Sequence, residues 1–488
     1  MLTLPSKNLK VLSSLNRTYT LFISYLLIHL LLRLIFTDTL QIDDAEQVRL
    51  GQNIQLGYNI PQPPLYSWIA WLGFKFLGIN IYALTLIKYL FIGITFFLAS
   101  LISERISSKK EIQNIIIFSY LLMPSFAWHM HQGFTHTILL GMSILMTIHA
   151  LFKINDNQNT IFYIYLGIAL GSGLLSKYSY LIFLIIFILT CVSISDFRKS
   201  LLNSKTILTL LTVIVISGPH LYWIFENYEQ VFHQVNQKIN PSLTKDFASI
   251  LGVFINFLSG FVGFISPLIL VYLIFFKHLK INIDTTFKKF FLHFYLIALS
   301  LIVLAFLVFS IPEFKVRWFH PLLMISPFFL GLLLDNKKDF FINFKKIFYF
   351  LLFLVTILVI SVRVFQFTLS TDYGLNGRIN TPITITLNKL KSKISLENKI
   401  LVTKDNFLGS HLLISFPGKF IIVSNQKYNE SNDFNGCILI EDNDSNNYKI
   451  SKLNSTKEMS FAESKIGDSV YRISVEVKPK NECIELIR

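Results

Sequence analysis

Apolar runs of about twenty residues recur from residue 18 to residue 366, and this repetition constrains the fold more than any other feature. A helix needs about twenty apolar residues to cross the hydrocarbon core of a bilayer. Hydrophobic residues make up 53% of the chain and charged residues only 15%, as is typical of a polytopic membrane protein. We therefore predict a mainly α fold with about 11 to 13 spans. Eleven spans are placed near residues 18–37, 80–103, 112–128, 134–153, 160–176, 178–195, 206–225, 248–276, 290–311, 320–335 and 346–366.

Charged residues in the connecting loops predict how the chain is oriented. Cytoplasmic loops carry an excess of lysine and arginine. The basic loops, predicted to be cytoplasmic, hold Lys7, Lys10 and Arg17; Arg105, Lys109 and Lys110; Arg198, Lys199 and Lys205; Lys277, Lys280, Lys288 and Lys289; and Lys337, Lys338, Lys345 and Lys346. The alternating loops then face outward, and an odd number of spans places the C-terminus outside as well. The net charge of +15 is therefore an orientation charge, and no nucleic-acid partner is predicted.

The composition changes after residue 370. Apolar runs shorten to five or six residues, as at 399–403 and 419–423, and Asn, Asp and Ser cluster between them. Short β-rich runs separated by turn residues predict a small α/β domain. We divide the chain into a transmembrane domain, 1–370, and a periplasmic, or more generally extracytoplasmic, α/β domain, 371–488. Cys437 and Cys483 can pair if this tail lies in an oxidising compartment.

Three carboxylates fall within four positions shortly after the first apolar run. Asp43, Asp44 and Glu46 open a loop that continues through Gly57-Tyr58 to residues 62–66. A charge near hydrocarbon is costly, so such a cluster faces water, performs chemistry, or does both. Asp43 can act as a general base that takes a proton from an acceptor hydroxyl. An Asp ahead of a helical run is also a common N-cap, and this alternative stays open.

Two further outward-facing stretches carry cations beside polar or aromatic residues. Lys177 lies between the fifth and sixth predicted spans and suits a lipid-linked phosphate, although a lysine there can also extend to the headgroups. Arg317 can bind a phosphate through two hydrogen bonds. The adjacent Trp318 can stack on a sugar or anchor at the membrane interface. His320 follows directly before Pro321.

Other side chains near the outer face point to no cofactor. Residues 64–79, which include Trp68 and Lys75, are shorter than a span and are predicted to form an amphipathic helix at the interface. His129, His131 and His136 are spaced by two and five residues, which matches no strong metal-binding pattern. No Walker loop, dinucleotide fingerprint or nucleophile elbow occurs in the sequence. We predict neither a metal nor another cofactor.

The acidic loop resembles that of a known family. Asp43-Asp44-Ala45-Glu46-Gln47, Leu56-Gly57-Tyr58, Gln62-Pro63-Pro64-Leu65 and Trp68 are similar to the first outer loop of GT-C fold glycosyltransferases. The resemblance is to the protein O-mannosyltransferase-like superfamily, which includes the bacterial aminoarabinose transferases of lipid A. Leu175-Ser176-Lys177-Tyr178 and Arg317-Trp318-Phe319-His320-Pro321 resemble two further stretches. The likeness covers residues 18–335 in outline.

The resemblance implies an inverting glycosyltransferase that uses a polyprenyl-phosphate sugar and no nucleotide sugar. It implies a catalytic acid at Asp43, with Asp44 beside it. We expect Lys177, Arg317 and Lys75 to bind the donor phosphate. The residues expected to bind the sugar or the acceptor are Glu46, Tyr58, His136, Trp318 and His320.

Three positions depart from the family pattern. Gln62 stands where the lipid A transferases tend to carry a lysine, and Glu46 stands where they have an arginine. His136 stands where many relatives have an acid. Phosphate binding is therefore expected to be redistributed to Lys75, Lys88, Lys177 or Arg317.

The expected partners are the lipid bilayer, a polyprenyl-phosphate-linked sugar donor and an acceptor in the cell envelope. Lipid A or another glycolipid is favoured as acceptor over a glycan or a protein. The expected location is the cytoplasmic (inner) membrane. The alternative from another class is a transporter or flippase for lipid-linked sugars. Transporters favour sites near the bilayer midplane and two related halves, whereas this chain concentrates polar residues at one face and shows no halves.

Overall fold

The chain divides into two compact units in a computed structural model. Unit 1 comprises Met1–Leu27, Gln55–Tyr66 and Lys88–Val359, and unit 2 comprises Ile28–Ile54, Ser67–Ile87 and Ile360–Arg488. The structure describes residues 6–58, 60, 62–239, 247–281, 283–308, 316–334, 338–368, 378–392, 394, 399–418, 421–423, 435–442, 459–466 and 469–487. Unit 2 thus joins the tail with two short pieces from the first ninety residues.

Helices dominate the chain up to residue 368. They are α1 (Ser6–Phe36), α2 (Ile42–Leu50), α3 (Leu65–Leu77), α4 (Ile81–Ile106), α5 (Lys110–Ser119), α6 (Met130–Gln132), α7 (Thr135–Asp156), α8 (Thr160–Ser176), α9 (Tyr180–Ser193), α10 (Ser195–Leu201), α11 (Thr206–Glu226), α12 (Tyr228–Ile239), α13 (Phe247–Ile265), α14 (Leu268–Ile274), α15 (Thr286–Val308), α16 (His320–Leu323), α17 (Ser326–Leu332) and α18 (Lys338–Thr368). Short 3-10 helices lie at Tyr120–Leu122, Phe276–His278, Val316–Phe319 and Arg378–Asn380, and a short π-helix lies at Ser125–His129.

Several of these helices are long and apolar enough to cross a membrane. Among the described residues there are six: Arg17–Phe36, Ile81–Ile106, Thr135–Asp156, Thr206–Glu226, Thr286–Leu304 and Phe340–Thr368. Two bent pairs, α9 with α10 at 109° and α13 with α14 at 91°, raise the number to eight if each pair is one span. The mainly α, multi-pass fold is confirmed, but the eleven predicted spans exceed this number.

Prolines explain part of the difference. The predicted span 112–128 is broken because Met123, which precedes Pro124, is extended, as is common before proline. The predicted span 320–335 is two short helices, α16 and α17, and each has a proline in its first turn. The predicted span 160–176 is one apolar helix, α8, but it has only 17 residues.

Phenylalanine fills much of the interior of unit 1. The ring of Phe152, on α7, lies 6.0 Å from that of Phe197 on α10, centroid to centroid. It lies 5.8 Å from the ring of Phe290 and 6.1 Å from that of Phe291, both on α15. All four side chains are buried. The pair with Phe197 is stacked, whereas the pairs with Phe290 and Phe291 are edge-to-face, a geometry that stabilises a core beyond the area that it buries.

The tail forms the predicted small α/β domain. Its elements are α19 (Ile383–Lys391), β1 (Lys399–Thr403), α20 (Asn406–Ser415), β2 (Ile421–Val423), β3 (Gly436–Asp442), β4 (Met459–Ile466), β5 (Ser469–Pro479) and α21 (Lys480–Ile487). The five strands form one mixed sheet in the order β2-β1-β3-β5-β4. Strand β1 is parallel to β2 and β3, whereas β5 is antiparallel to β3 and β4.

Alternating side chains of the sheet enter two separate cores. Leu401 of β1 packs in a core with residues of α19 and α20, whereas Ile400 and Val402 pack in a second core on the other face. That second core contains Cys437 of β3 and Cys483 of α21, which form a disulfide. The pairing that the sequence allowed is therefore present.

Candidate active site

The acidic motif lies on α2, a nine-residue helix of unit 2. Asp43 and Asp44 occupy its first turn, where the helix dipole favours negative charge. The N-cap position belongs to Gln41, whose backbone is extended and whose side chain makes no capping hydrogen bond. The alternative in which Asp43 caps the helix therefore does not hold. The helix ends at Leu50, and the N–H of Gly51, the C-cap residue, donates to Gln47 O at 2.9 Å.

Asp44 is buried in an ion pair. Its side chain is 4% exposed, and Oδ2 lies 3.7 Å from Nη2 of Arg33 near the end of α1. The same guanidinium donates to Thr37 O at 3.1 Å and to Thr39 O at 2.8 Å. Arg33 thereby holds the turn between α1 and α2 as well as the second acid of the motif. An ion pair so deeply buried is a structural feature, because either charge alone would be costly.

Asp43 has a different environment from its neighbour. Its side chain is half-buried, whereas that of Asp44 is buried. A base must reach its substrate within about 2.6–3.2 Å, so a carboxylate with access to solvent is the better placed of the two. The geometry favours Asp43 for chemistry and Asp44 for structure. The catalytic role of both remains a prediction.

The following residues of the motif join α2 to α3. Gln47 Oε1 accepts from Ser67 Oγ at 2.8 Å, and Gln47 Nε2 donates to Glu46 Oε1 at 3.3 Å. Burial lowers the pKa of the Arg49 guanidinium, and the neighbouring Glu46 carboxylate acts in the opposite direction. Neither Arg49 nor Arg33 was among the residues predicted for the site. A charge inside the first predicted span was the available signal for Arg33.

In unit 1 the Gly57-Tyr58 stretch lies against α11. His220 Nδ1 lies 2.8 Å from Leu56 O, and His220 Nε2 lies 3.3 Å from the hydroxyl of Tyr178. A Cβ on Gly57 would lie 2.2 Å from the indole of Trp223, so a larger residue would require the loop or the indole to shift. Tyr58 is buried, and burial raises the pKa of its phenol. The predicted role of Tyr58 in binding sugar or acceptor stays a prediction.

Two lysines of unit 1 meet one short segment at the start of α7. Lys88 of α4 is 3% exposed, and its Nζ donates to Gln132 O at 2.8 Å. Lys177, which follows α8, donates from Nζ to Thr137 Oγ1 at 2.8 Å. The intervening Phe134 has a left-handed backbone with φ of 62°, and α7 begins directly after it. Two ammonium groups therefore flank the N-terminus of a 22-residue helix.

The histidines near this segment have separate environments. His131 Nε2 lies 2.8 Å from the Tyr25 hydroxyl, and His131 Nδ1 lies 3.1 Å from the Tyr89 hydroxyl. The imidazole of His131 is therefore a buried hydrogen-bonding centre. His136 is buried in the first turn of α7, with its ring 6.1 Å from that of Tyr66. Within the described ranges, no three His, Cys, Asp or Glu side chains are grouped to hold a metal ion.

The remaining predicted residues lie on other elements. Lys75 is exposed on α3 in unit 2, with Nζ 5.6 Å from the centroid of the Trp71 ring. In unit 1, Arg317 and Trp318 lie in the turn Val316–Phe319, and the side chain of Arg317 is outside the described part. His320 is buried, with its ring 4.9 Å from that of Phe264. Their predicted roles stay predictions.

The sequence is similar to those of several known proteins. The family profile of dolichyl-phosphate-mannose-protein mannosyltransferase matches residues 61–223. The lipopolysaccharide core galacturonosyltransferase RgtB of Rhizobium johnstonii is 25% identical over 321 residues, which are 65% of this chain and 65% of RgtB. The alignment thus spans slightly less than two thirds of that relative. RgtA of the same organism is 21% identical over 408 residues, which are 83% of this chain and 81% of RgtA.

A solved structure shows the same fold. The crystal structure of ArnT from Cupriavidus metallidurans bound to undecaprenyl phosphate covers 94% of this chain, and the match includes 97% of ArnT. The TM-score is 0.59 at 12% sequence identity. The apo structure of the same protein has a TM-score of 0.58. The chain thus has the GT-C fold of ArnT, as the resemblance of its acidic loop predicted, and its sequence is similar to those of a mannosyltransferase family and of two galacturonosyltransferases.

Proposed function

We propose that this protein is a glycosyltransferase that moves a sugar from a polyprenyl phosphate to an acceptor of the cell envelope. The observation that carries the proposal is the arrangement of α2, where Asp44 is buried against Arg33 and the adjacent Asp43 is half-buried. The acceptor hydroxyl attacks the anomeric carbon and gives its proton to Asp43. The bond from that carbon to the phosphate oxygen breaks, and the lipid phosphate leaves with inversion at carbon.

The leaving phosphate needs positive charge near its oxygens. Lys88 and Lys177 place ammonium groups beside Gln132 and Thr137 in unit 1, at the N-terminus of α7. Anions bind favourably at helix N-termini, and ammonium groups add a point charge. We propose that this lysine pair binds the donor phosphate. Lys177 was predicted from the sequence as a phosphate ligand, and Lys88 was named as a further candidate. Developing negative charge on the phosphate is stabilised there.

Two observations support an envelope acceptor at the outer face. RgtA and RgtB are named as lipopolysaccharide core galacturonosyltransferases, which favours a glycolipid acceptor of the lipopolysaccharide type for this chain. The Cys437–Cys483 disulfide is typical of an oxidising compartment such as the periplasm. We therefore place the reaction at the periplasmic face of the cytoplasmic membrane.

The decisive experiment uses the full-length protein in lipid nanodiscs. Synthetic polyprenyl-phosphate donors that carry galacturonic acid, aminoarabinose or mannose are incubated with lipopolysaccharide, and products are identified by mass spectrometry. We expect one donor to give a glycosylated lipid and Asp43→Asn to lower the rate of product formation by a factor of about 100 or more. Asp38→Asn is the matched control, because this exposed carboxylate lies five residues earlier and changes by the same charge.

Two outcomes would contradict the proposal. Full turnover by Asp43→Asn would remove the assigned base. Donors that stay intact but cross the bilayer of a proteoliposome would indicate the flippase alternative instead.

A further inference from the structure

The tail helix α20 contacts the acidic helix α2 within unit 2. Ser410 Oγ lies 2.7 Å from Ala45 O and 2.8 Å from Asn406 O, so its hydroxyl can donate to either carbonyl. The next residue, His411, accepts the N–H of Leu40 at Nε2 over 3.3 Å. Both side chains are buried. Two adjacent tail residues therefore bond to the backbone on either side of Asp43 and Asp44.

Apolar packing reinforces these hydrogen bonds. Ala45 and Val48 of α2 lie in a buried cluster with Leu40 and with residues of α3 and α4. Phe407 and Leu413 of α20 pack against that cluster, together with Ile414. The contact is thus a continuous apolar interface with two polar bonds, and it does not depend on a single residue.

Helix α20 is itself fixed in the tail. A Cβ on Gly409 would lie 2.5 Å from Val423 of β2, so the helix packs closely on the sheet. Leu408 and Leu412 lie in the core that contains β1, β3 and β5. Asp405 caps the helix by accepting the N–H of Leu408 at 2.6 Å. A rigid element therefore carries Ser410 and His411.

Helix α2 needs such partners because it is short. Isolated helices of fewer than about 12–15 residues are marginal in water. With nine residues and no capping side chain at Gln41, α2 is below that limit. Its orientation, and hence the direction in which Asp43 points, must come from tertiary contacts.

We propose that Ser410 and His411 are positioning residues that orient α2, and with it Asp43, for sugar transfer. This inference rests on the proposed function. It gives the tail a role in the reaction, namely to orient the helix that carries the acidic motif. Misplacement of a reacting group by about 1 Å can cost a factor of about 100 in rate.

The test compares four full-length variants in nanodiscs with the donor and acceptor that the wild-type protein uses. His411→Leu removes the acceptor, His411→Gln replaces it with an amide oxygen, and Ser410→Ala removes the hydroxyl. We expect kcat to fall about tenfold or more in the Ser410→Ala/His411→Leu double variant, with the donor KM within about twofold of wild type. His411→Gln is expected to recover most of the turnover that His411→Leu loses.

A control separates positioning from general damage to the tail. Thr386→Val removes a buried hydroxyl of α19 that donates to Pro382 O at 2.9 Å, within the tail. We expect this variant to keep wild-type kcat. Thermal unfolding and intact-disulfide measurements identify any variant that fails to fold, and the His411→Gln and His411→Leu pair then provides the comparison.

The outcomes of the inference and of the proposed function are distinguishable. A folded double variant with the kcat of the wild-type protein overturns the positioning role. The proposed function still stands in that case, because the wild-type protein transfers the sugar. Equal losses in Thr386→Val and in the double variant also overturn it, because the effect would then be general. A wild-type protein that transfers no sugar from any donor contradicts the proposed function itself.

Discussion

At the scale of single residues, two adjacent aspartates have distinct environments. The sequence predicted an acid cluster with Asp43 as its base. It did not predict that Asp44 is buried against Arg33, because the partner depends on how the chain turns between α1 and α2. Hydropathy alone shows Arg33 as a charge at the end of an apolar run. Its three bonded neighbours become visible only when the turn is folded.

Asp43→Asn is expected to impair turnover, whereas Asp44→Asn is expected to reduce stability. Asp43→Asn should lower kcat by a factor of about 100 to 10,000, the usual contribution of a general base, and leave thermal unfolding nearly unchanged. Asp44→Asn leaves Arg33 buried without its carboxylate, which costs about 3–5 kcal/mol of stability. Kinetics and unfolding of both purified variants check this. Equal instability of the two would contradict the division of roles.

The lysine pair of unit 1 should act on donor binding. Lys88→Met and Lys177→Met each remove an ammonium group near the start of α7, and we expect the donor KM to rise about tenfold or more. Lys153→Met, near the other end of the same helix, is the matched control and should leave the donor KM unchanged. Titration of the donor in nanodiscs measures all three. An unchanged KM in both test variants would remove the phosphate assignment.

At the scale of elements, local sequence patterns predicted whether a segment is helix or strand better than they predicted whether a helix is unbroken. The run 399–403 was predicted as a short strand and forms β1, because a short β-rich run between turn residues can be recognised from five residues. Both faces of β1 are buried. The acidic stretch was predicted as a loop, yet it forms α2, which depends on contacts with α20 more than on its own sequence. An apolar run indicates a membrane-buried segment but not whether its helix is continuous. The breaks beside prolines in the predicted spans 112–128 and 320–335 were therefore not predicted.

The close approach of Gly57 to α11 gives a test of this packing. Gly57→Ala places a Cβ against the Trp223 indole, so the loop or the indole must shift. We expect a lower unfolding temperature and reduced turnover. Gly263→Ala is the control, because nothing lies within 4 Å of the added atom. Recovery of stability in Gly57→Ala/Trp223→Ala would confirm the steric origin, and a neutral Gly57→Ala would contradict it.

The contact between α20 and α2 should weaken in acid. Burial, with a smaller effect of the Arg33 charge, lowers the pKa of His411 from 6.5 to about 3. Below pH 6.5 the unfolded chain binds a proton that the folded chain excludes, so stability falls as pH falls towards 3. The slope is at most about 1.4 kcal/mol per pH unit. Unfolding temperatures at pH 7 and pH 5 check this, and His411→Gln should show a smaller difference between them.

At the scale of the whole molecule, the sequence predicted a multi-pass membrane protein with an α/β tail, and both features are present. The predicted boundary at residue 370 was drawn from composition. The compact unit that holds the tail also includes Ile28–Ile54 and Ser67–Ile87. Composition cannot reveal this grouping, because the contacts that define it join residues more than 300 positions apart, such as Thr39 and Thr381.

Cysteine chemistry tests the compartment of the tail. The chain has three cysteines, of which Cys437 and Cys483 form a disulfide and Cys191 is free and buried. We expect protein denatured without reductant to accept one thiol-reactive label per chain, and three after reduction. Mass spectrometry counts the labels. Three labels without reductant would place the tail in a reducing compartment and contradict the predicted orientation.

The bonds from Ser410 to Ala45 and from Leu40 to His411 join positions 365 and 371 residues apart. A recombinant protein that takes its first 370 residues from one relative and its tail from another would therefore combine α2 of the first with α20 of the second. Productive crossovers should be those that exchange α2 and α20 together. Related proteins are then expected to inherit α2 and α20 together.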